Sequence, residues 1–474
     1  MEYFRYRGII EGFYGKPWEH QERLDMFEFM QANNLNAYIY APKQDLYHRE
    51  LWREPYKEEQ LQLFKELIEK AGSCGINFTF AISPGLSLVY SSEEELETLI
   101  RKITPFLEMG VHSIGIFFDD VPFDLIHEED RNSYSNLAEA QADFLTRVLQ
   151  RLESTISAPQ IIMCPTFYCN DPNLEYLRIL GQRLPKNIDV FWTGPNVCSH
   201  EITTSHMQEV QKSLQRPATL WDNYPVNDGG MMPELHIGPY DHRDPELHTH
   251  VVGIYANPMA LPEASKLPLY TFAQYLNSPS QYNPQDSWRQ AVSTLLGEDN
   301  LSAMEKFYQS NTISCLEPEE PAYLTNLFKK VQEDFASFRF EQGLRTLREE
   351  IISMQATYSS LSAQDSKFFW EIRPWLEEYK LWTDYLDQAM ITFSNLFTGF
   401  FTADEEQARE SLQKALQGRT YLREVLKDAV DFRTRVCGDV VRNFLQQVLR
   451  STVSIELQAE GKEWTALPPG IVRD

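Results

Sequence analysis

The distribution of apolar and polar residues divides the chain into two parts. Up to about residue 280, short apolar segments alternate with amphipathic segments of helical period, and a polar or glycine-containing turn follows each apolar segment. Short strands that alternate with crossover helices predict a parallel sheet. The predicted strands are Tyr6–Glu11, Ala37–Ala41, Ile76–Ile82, His112–Phe118, Gln160–Cys164, Ile188–Trp192, Ala218–Trp221 and Val251–Ala256.

About eight strand–helix units within this length are typical of one (β/α)8 TIM barrel. An open, doubly wound sheet is the alternative. It is less favoured, because no GxGxxG motif follows a strand and polar residues stand at nearly every strand end. In a barrel these ends meet at one rim, which is where barrel enzymes place their chemistry. The residues expected to share that rim are Gly12, Lys43, Asp119, Asp120, Tyr168, Asn223 and Asn257.

The second part of the chain has a helical pattern only. From Trp375 to Phe393, large apolar residues recur at a spacing of roughly 3.5 residues, which predicts an α-helical bundle. Such a stripe is usually core, although a homodimer interface through the helical domain stays open. We therefore predict a (β/α)8 barrel catalytic domain at 1–284, an α-helical bundle domain at 285–460 and an extended C-terminal tail at 461–474.

Composition and charge restrict the partners. The 474 residues carry a formal net charge of −26, which argues against nucleic acid and anionic membranes and weakly against polyanionic polysaccharides. No secretory signal or membrane-spanning apolar run is visible. The six cysteines are scattered without a CxxC pair, so we expect neither disulfides nor a structural zinc site. The simplest interpretation is a cytoplasmic protein with reduced cysteines.

Two adjacent carboxylates, Asp119 and Asp120, follow the fourth predicted strand directly. Neighbouring like charges in a semi-enclosed site raise at least one carboxyl pKa, and a raised pKa suits a general acid. The structural alternative is a helix N-cap or loop-start pair, a common role for Asp after a strand. The other strand ends favour the catalytic interpretation, because they bring further polar residues to the same rim.

The strand-end motifs, taken in order, resemble those of the family-84 glycoside hydrolases, which are β-N-acetylglucosaminidases and include the protein O-GlcNAcases. The resemblance covers roughly residues 5–280, and the helical part fits the family more loosely. The motifs that carry it are Gly12-Phe13-Tyr14-Gly15-x-Pro17-Trp18, Tyr40-Ala41-Pro42-Lys43, Ser83-Pro84-Gly85, Phe118-Asp119-Asp120, Pro165-Thr166-x-Tyr168, Trp192-Thr193-Gly194-Pro195, Trp221-Asp222-Asn223 and Asn257-Pro258.

The resemblance implies substrate-assisted catalysis with retention of configuration. A conventional retaining enzyme sets two carboxyls about 5 Å apart, and consecutive strand residues point to opposite faces, so this pair is poorly placed for that arrangement. Asp119 would instead accept a hydrogen bond from the substrate's acetamido N–H while the acetamido oxygen attacks and forms an oxazoline. It would also stabilise the charge that develops on that group. Asp120 would protonate the leaving oxygen and then activate water. The anionic Asp119 would help to keep Asp120 protonated.

The resemblance also implies substrate-binding roles. Tyr168 would bind the acetamido oxygen, Trp221 would form a wall of the acetamido-methyl pocket, and Asn223 would contact the N-acetyl group or ring hydroxyls. Asp228 and Asn257 would bind the 4- and 6-hydroxyl region, and the Gly12 carbonyl and Lys43 the side of the 3-hydroxyl. Tyr14 and Trp192 are further candidates for the pocket, with packing an equal alternative. Phe167 departs from the acidic residue associated with its position.

A group of histidines and two alternative functions were also considered. Histidines at 236, 242, 248 and 250 could suggest a metal, but the implied mechanism needs neither metal nor cofactor, so a loop or groove wall is favoured. The predicted substrates are O-GlcNAc-modified proteins or glycopeptides. A hyaluronidase-like hydrolase of N-acetylglucosamine polysaccharides and a non-catalytic sugar-binding protein remain as alternatives.

Overall fold

A computed structural model describes residues 4–429 and 432–451. Eight parallel strands close into a barrel in sequential order, which confirms the predicted (β/α)8 architecture and not the open sheet. Every strand lies within one or two residues of its predicted bounds. The strands are β1 (Tyr6–Glu11), β2 (Ala37–Tyr40), β3 (Asn77–Ile82), β4 (Ser113–Phe117), β5 (Gln160–Cys164), β6 (Ile188–Trp192), β7 (Ala218–Asp222) and β8 (Val251–Ala256).

Helices alternate with the strands in the barrel, and the described chain after β8 contains helices but no strand. Those up to residue 296 are α1 (His20–Ala32), α2 (Glu58–Ser73), α3 (Glu93–Glu108), α4 (Glu128–Ser133), α5 (Leu137–Glu153), α6 (Glu175–Arg183), α7 (Thr204–Leu214), α8 (Pro262–Asn277) and α9 (Pro284–Leu296). The later helices are α10 (Leu301–Tyr308), α11 (Ala322–Ala336), α12 (Phe340–Ser362), α13 (Lys367–Glu371), α14 (Arg373–Phe401), α15 (Glu405–Asp428) and α16 (Val440–Ser451).

Alternate strand residues fill the barrel, because successive side chains of a strand point to opposite faces. The buried cluster includes Ile10 from β1, Ile39 from β2, Phe117 from β4 and Phe191 from β6. Trp221, near the end of β7, belongs to the same cluster. The interior is therefore a packed core, and the space available for a ligand lies above it, at the carboxyl ends of the strands.

The chain divides into two compact units. One unit comprises residues 4–230 and Gly238–Ala291 and contains the barrel; the other comprises Met231–Ile237 and the described residues from 292 to 451. The predicted domain boundaries at 284/285 and 460/461 stay predictions, and the predicted tail at 461–474 lies outside the described residues.

The helical unit has an aromatic core. In α14, Trp375, Tyr379, Trp382 and Phe393 are all buried, as the core interpretation of this stripe predicts. Helix α14 packs against α12 and α15. The homodimer interface stays a prediction. Among the helices that the structure describes, we find none with the length and apolar character needed to cross a membrane.

Candidate active site

One pocket opens at the carboxyl ends of the barrel strands and has a volume of about 470 Å³, including the part open to solvent. It contains each of the nine residues predicted from the sequence to form the site, although they are spread over 245 positions of the chain. Strand-end convergence accounts for most of the set, whereas Asp228 lies six residues beyond the end of β7. Its lining residues are Gly12, Tyr14, Lys43, Asp119, Asp120, Cys164, Tyr168, Thr193, Val197, Cys198, Trp221, Asn223, Val226, Asp228 and Asn257.

Asp119 is the buried member of the carboxylate pair. Its side chain is only 6% exposed, and its Oδ2 forms an ion pair with Lys43, whose side chain is 3% exposed. Burial lowers the pKa of Lys43, but the charge of Asp119 more than offsets burial, so the pKa lies above its ordinary value and the amine stays charged. The second oxygen, Oδ1, is buried and has no hydrogen-bond partner. A buried carboxylate oxygen without a donor is costly unless a ligand supplies one.

Asp120 lies on the exposed side of the same pocket. Its Oδ2 accepts a hydrogen bond from the Tyr14 hydroxyl at 2.6 Å, and its Oδ1 accepts one from the Tyr168 hydroxyl at 3.0 Å. Neither acid is a helix cap, because β4 ends at Phe117 and α4 begins only at Glu128. The two acids were expected to point to opposite faces, but both line this pocket. The alternation of a strand no longer applies to them, and Asp120 adopts a left-handed backbone with φ 54°.

Arg49 holds this left-handed turn in place. Its Nη1 donates to the Tyr14 hydroxyl at 2.8 Å, and its Nη2 donates to the backbone carbonyl of Asp120 at 3.0 Å. One planar guanidinium therefore fixes both the acid and its tyrosine partner. A non-glycine residue in this backbone region is strained by about 1–3 kcal/mol, and such strain persists only where neighbours impose it. The sequence offered no signal for Arg49, since it lies in a loop and outside the motifs.

The ionisation of Asp120 differs from the expectation. Burial raises the pKa of its carboxyl. The hydrogen bonds from the two tyrosines and the positive charge of Lys43 together outweigh burial, so the pKa lies below its ordinary value. The repulsion expected from Asp119 is offset because Lys43 pairs with that carboxylate. Without a ligand, Asp120 is therefore an anion near neutral pH.

Replacing Tyr14 by Phe is expected to move the alkaline limb of the kcat/KM profile to higher pH. The lost hydroxyl stabilised the carboxylate, so its removal raises the pKa of Asp120 in the free enzyme, and an acid with a higher pKa stays protonated to higher pH. Because the pKa of Asp120 in the free enzyme lies below its ordinary value, steady-state kinetics must extend to about pH 3 to measure the shift. Tyr47→Phe, in the neighbouring loop, is the control. An alkaline limb that stays in place or moves to lower pH would contradict the hydrogen bond's assigned effect.

Trp221 forms the floor of the pocket. The ring of Trp221 packs against Phe117 and Phe191, with ring centroids 5.6 Å and 5.5 Å apart. The Lys43 amine lies 5.4 Å from the centroid of the Trp221 ring. These contacts fix the indole against the barrel core. Its Nε1 is buried without a hydrogen-bond partner. A flat apolar wall in the same pocket as the free oxygen of Asp119 suits a small acyl group.

A methyl group at position 12 is expected to lower kcat/KM by about 10–100-fold, because small displacements of binding groups have effects of this size. A Cβ on Gly12 would lie 2.4 Å from Cζ2 of Trp221, so the indole or the loop must shift. The measurement is kcat/KM for Gly12→Ala against Gly72→Ala, whose Cβ meets nothing within 4 Å. Equal activity of the two variants would show that Trp221 tolerates displacement.

Amide and carboxylate groups complete the opposite side of the pocket. The side chain of Asn257 accepts a hydrogen bond from Gly12 N at 3.3 Å and donates one to Asn223 Oδ1 at 2.9 Å. Asp228 accepts one from Tyr14 N at 2.7 Å. Burial raises the pKa of Asp228. Each of these side chains accepts a hydrogen bond from another pocket residue, so they present fixed polar atoms to a ligand with several hydroxyls.

Two buried ion pairs anchor the loops that carry the site. Glu11, the last residue of β1, accepts hydrogen bonds from Arg23 Nε and Nη2, each at 2.7 Å. Asp222, the last residue of β7, accepts from Arg243 Nη2 at 2.7 Å and Nε at 2.8 Å. Each anchor directly adjoins a pocket residue, Gly12 in one case and Asn223 in the other. The loops are therefore rigid where they enter the pocket.

Several other residues stand apart from the predictions. Trp192 is fully buried outside the lining and donates to His206 Nε2 at 3.0 Å, so the packing alternative is correct for it. Cys164 and Cys198 line the pocket although the sequence analysis did not select them. Within the described ranges, no three His, Cys, Asp or Glu side chains form a group that could hold a metal ion.

Comparison with known proteins places the chain in a family. It belongs to the β-N-acetylglucosaminidase family of glycoside hydrolases, whose model matches residues 7–309, and this confirms the predicted membership. The protein O-GlcNAcase of Mus musculus is 36% identical over 277 residues, which are 57% of this chain and 30% of the mouse protein. The protein O-GlcNAcase of Rattus norvegicus matches to the same extent. The matched region thus covers less than a third of these curated relatives.

Solved structures match over much more of the chain. The D120N mutant of the Thermobaculum terrenum O-GlcNAc hydrolase has 97% sequence identity and a TM-score of 0.95, and the match covers 100% of both chains. The structure of CpGH84B has 26% identity and a TM-score of 0.80, and the match covers 94% of this chain and 77% of that one. The likeness therefore includes the helical unit as well as the barrel.

Proposed function

We propose that this chain is a retaining β-N-acetylglucosaminidase that removes O-linked N-acetylglucosamine from Ser and Thr of proteins, in a cytoplasmic setting. Family membership and relatives described as protein O-GlcNAcases and O-GlcNAc hydrolase support the proposal. The observation that carries it is Oδ1 of Asp119, a buried carboxylate oxygen with no donor, at the edge of a pocket floored by Trp221. The N–H of an acetamido group is the donor this site lacks.

In the proposed first step, the substrate's acetamido oxygen attacks the anomeric carbon and the bond to the leaving oxygen breaks. Asp119 accepts a hydrogen bond from the acetamido N–H and stabilises the positive charge that forms on the oxazoline. A preorganised anion in a water-poor site is effective at this task. Tyr168 would turn from Asp120 to the acetamido oxygen. Trp221 would enclose the methyl group.

Asp120 would transfer the protons. It must bind substrate in its acid form, although its pKa in the unliganded protein is low. Loss of the Tyr168 hydrogen bond and exclusion of water by the sugar both favour the neutral acid. Asp120 protonates the serine or threonine oxygen as it leaves. Its carboxylate then takes a proton from the water that opens the oxazoline, which restores both the acid and the configuration.

The remaining residues would bind the sugar. Asn223 would hold the N-acetyl group or ring hydroxyls, Asp228 and Asn257 the 4- and 6-hydroxyl region, and the Gly12 carbonyl with Lys43 the side of the 3-hydroxyl. Because Lys43 also pairs with Asp119, one ammonium would serve both the catalytic anion and the sugar.

The test compares substrates that differ in the acetamido group and in the aglycone. We expect hydrolysis of 4-nitrophenyl N-acetylglucosaminide and of a glycopeptide, with hyaluronan left intact. Each fluorine added to the acetyl group should slow the reaction further, because it lowers the nucleophilicity of the attacking acetamido oxygen. NMR of the first-formed sugar should show the β-anomer. Depolymerised hyaluronan beside an untouched glycopeptide, or a rate independent of fluorination, would refute the proposal.

A further inference from the structure

A second aromatic surface lies outside the sugar pocket. Phe123 and Phe167 pack with ring centroids 5.1 Å apart, and Phe167 packs on Tyr176 at 5.0 Å. We call these three residues the aromatic ledge. Phe123 is 64% exposed although its ring packs against Phe167. An exposed aromatic side chain that is held by ring contacts is typical of a binding surface.

The aromatic ledge lines a groove of about 1110 Å³, including its open part, and Leu125, Leu137 and Ile179 add further apolar surface. Two residues that line the groove are close in sequence to residues that line the sugar pocket. Phe123 follows Asp120 by three residues, and Phe167 directly precedes Tyr168. Asp120 and Tyr168 line the pocket, while Phe123 and Phe167 line the groove. The two loops that hold the acid therefore also build the aromatic ledge.

The base of the aromatic ledge is rigid. The Tyr176 hydroxyl accepts a hydrogen bond from Thr166 N at 3.1 Å and donates one to Gln141. Gln141 is fully buried, and its Nε2 donates to Thr166 Oγ1 at 2.8 Å. This closed network fixes Tyr176. Phe167 packs against Tyr176, and Phe123 packs against Phe167. A preorganised surface loses little conformational entropy when it binds.

We propose that the aromatic ledge is an acceptor-side subsite, which binds an apolar aliphatic or aromatic side chain close to the glycosylated Ser or Thr of the protein substrate. The inference rests on the proposed function. The oxygen that leaves the sugar must meet Asp120, so the polypeptide attached to it leaves the pocket on the side of Asp120. The segment that follows Asp120 leads directly to Phe123.

The charges of the groove restrict the occupant further. Asp124 and Glu175 line it with one cation, Arg131. The Arg131 guanidinium donates to the carbonyls of Leu125 at 3.0 Å and Ile126 at 2.9 Å, so it is engaged by the loop. Two carboxylates against one engaged guanidinium leave the groove negative. Acidic residues in the substrate are therefore disfavoured, and a neutral apolar side chain is the matching ligand.

The experiment uses glycopeptides that are identical except for one residue beside the glycosylated serine, which is Phe, Ala or Glu and is placed on either side in turn. For the wild-type chain, we expect kcat/KM to be about tenfold higher with Phe than with Ala in at least one position. The Glu peptide should be the poorest substrate. The ratio of Phe to Ala within one enzyme is the readout, because it does not depend on the fraction of active protein.

Two variants alter the aromatic ledge, and a third serves as the matched control. Phe123→Ala should lower the Phe-to-Ala ratio to about one, and Phe123→Leu should retain part of it. Because Phe123 is 64% exposed, its truncation leaves the core intact. Leu63→Ala, at a residue of α2 that is 45% exposed, should keep the wild-type ratio. An unchanged ratio in Phe123→Ala overturns the subsite.

The two proposals fail in different ways. If the wild-type chain cleaves 4-nitrophenyl N-acetylglucosaminide and all the glycopeptides with equal kcat/KM, the subsite is refuted and the hydrolase stands. If it cleaves none of them, the proposed function fails and the subsite fails with it.

Discussion

Replacing Asp120 by Asn is expected to lower kcat/KM for a serine-linked glycopeptide by about 10²–10⁴-fold, the usual contribution of a positioned general acid. The loss should depend on the leaving group. A serine oxygen is a poor leaving group and needs a proton as the bond breaks, whereas 4-nitrophenolate leaves without one. The first step should therefore be slowed far less for the aryl glycoside, and kcat/KM is the measurement for both substrates.

The control for this change is Glu128→Gln, which removes an exposed carboxylate from the end of the same loop. It should leave both substrates at the wild-type rate. The pH profile gives a second check, since the alkaline limb of the wild type should disappear in Asp120→Asn. An equal loss for the aryl glycoside and the glycopeptide would contradict the acid role, because the serine oxygen needs a proton to leave and 4-nitrophenolate does not.

The grouping of the candidate residues in one pocket could be predicted from the sequence, because barrel topology brings residues that are far apart along the chain close together. Asp119, Trp221 and Asn257 stand beside strand ends, and a parallel barrel allows those ends only one common rim. The strands themselves were readable, since each is a short apolar run bounded by turns. Ala37–Tyr40 and Gln160–Cys164 are buried on nearly every residue, as expected for parallel strands that are covered on both faces.

What the sequence could not supply depends on the paths of loops. Arg49 reaches Tyr14 and Asp120 from a different loop, and no motif spacing encodes that contact. The same is true of the low pKa of Asp120. Two adjacent acids predict mutual repulsion, but the result is reversed by a lysine and two tyrosines that arrive from other strand ends. The direction of the pKa shift of Asp120 therefore depends on residues that only the folded barrel brings together.

The aromatic ledge shows the same limit. Phe167 could be noticed from the sequence, because the family that the chain resembles has an acidic residue at that position. No sequence feature drew attention to its partner, Phe123. The ring contact joins the loop after β4 to the loop after β5. Sequence pattern places both residues in loops and assigns neither a function.

Replacing Asp119 by Asn is expected to lower kcat by about 10²–10³-fold, as when one preorganised charge-stabilising group is removed. The amide can still accept a hydrogen bond at Oδ1, but it carries no negative charge to oppose the oxazoline. In contrast to Asp120→Asn, the loss should be similar for glycopeptide and aryl glycoside, because both pass through the same intermediate. Single-turnover kinetics with the two substrates measure it.

A second consequence of Asp119→Asn must be separated from the first. The change leaves the Lys43 ammonium buried without its counter-ion, and breaking a buried ion pair costs about 3–5 kcal/mol of stability. The double variant Lys43→Met with Asp119→Asn removes both charges and should recover most of that stability in thermal unfolding. We expect it to remain inactive. A stable double variant with near wild-type kcat would mean that Asp119 serves only to neutralise Lys43, and the catalytic role proposed for its free oxygen would be wrong.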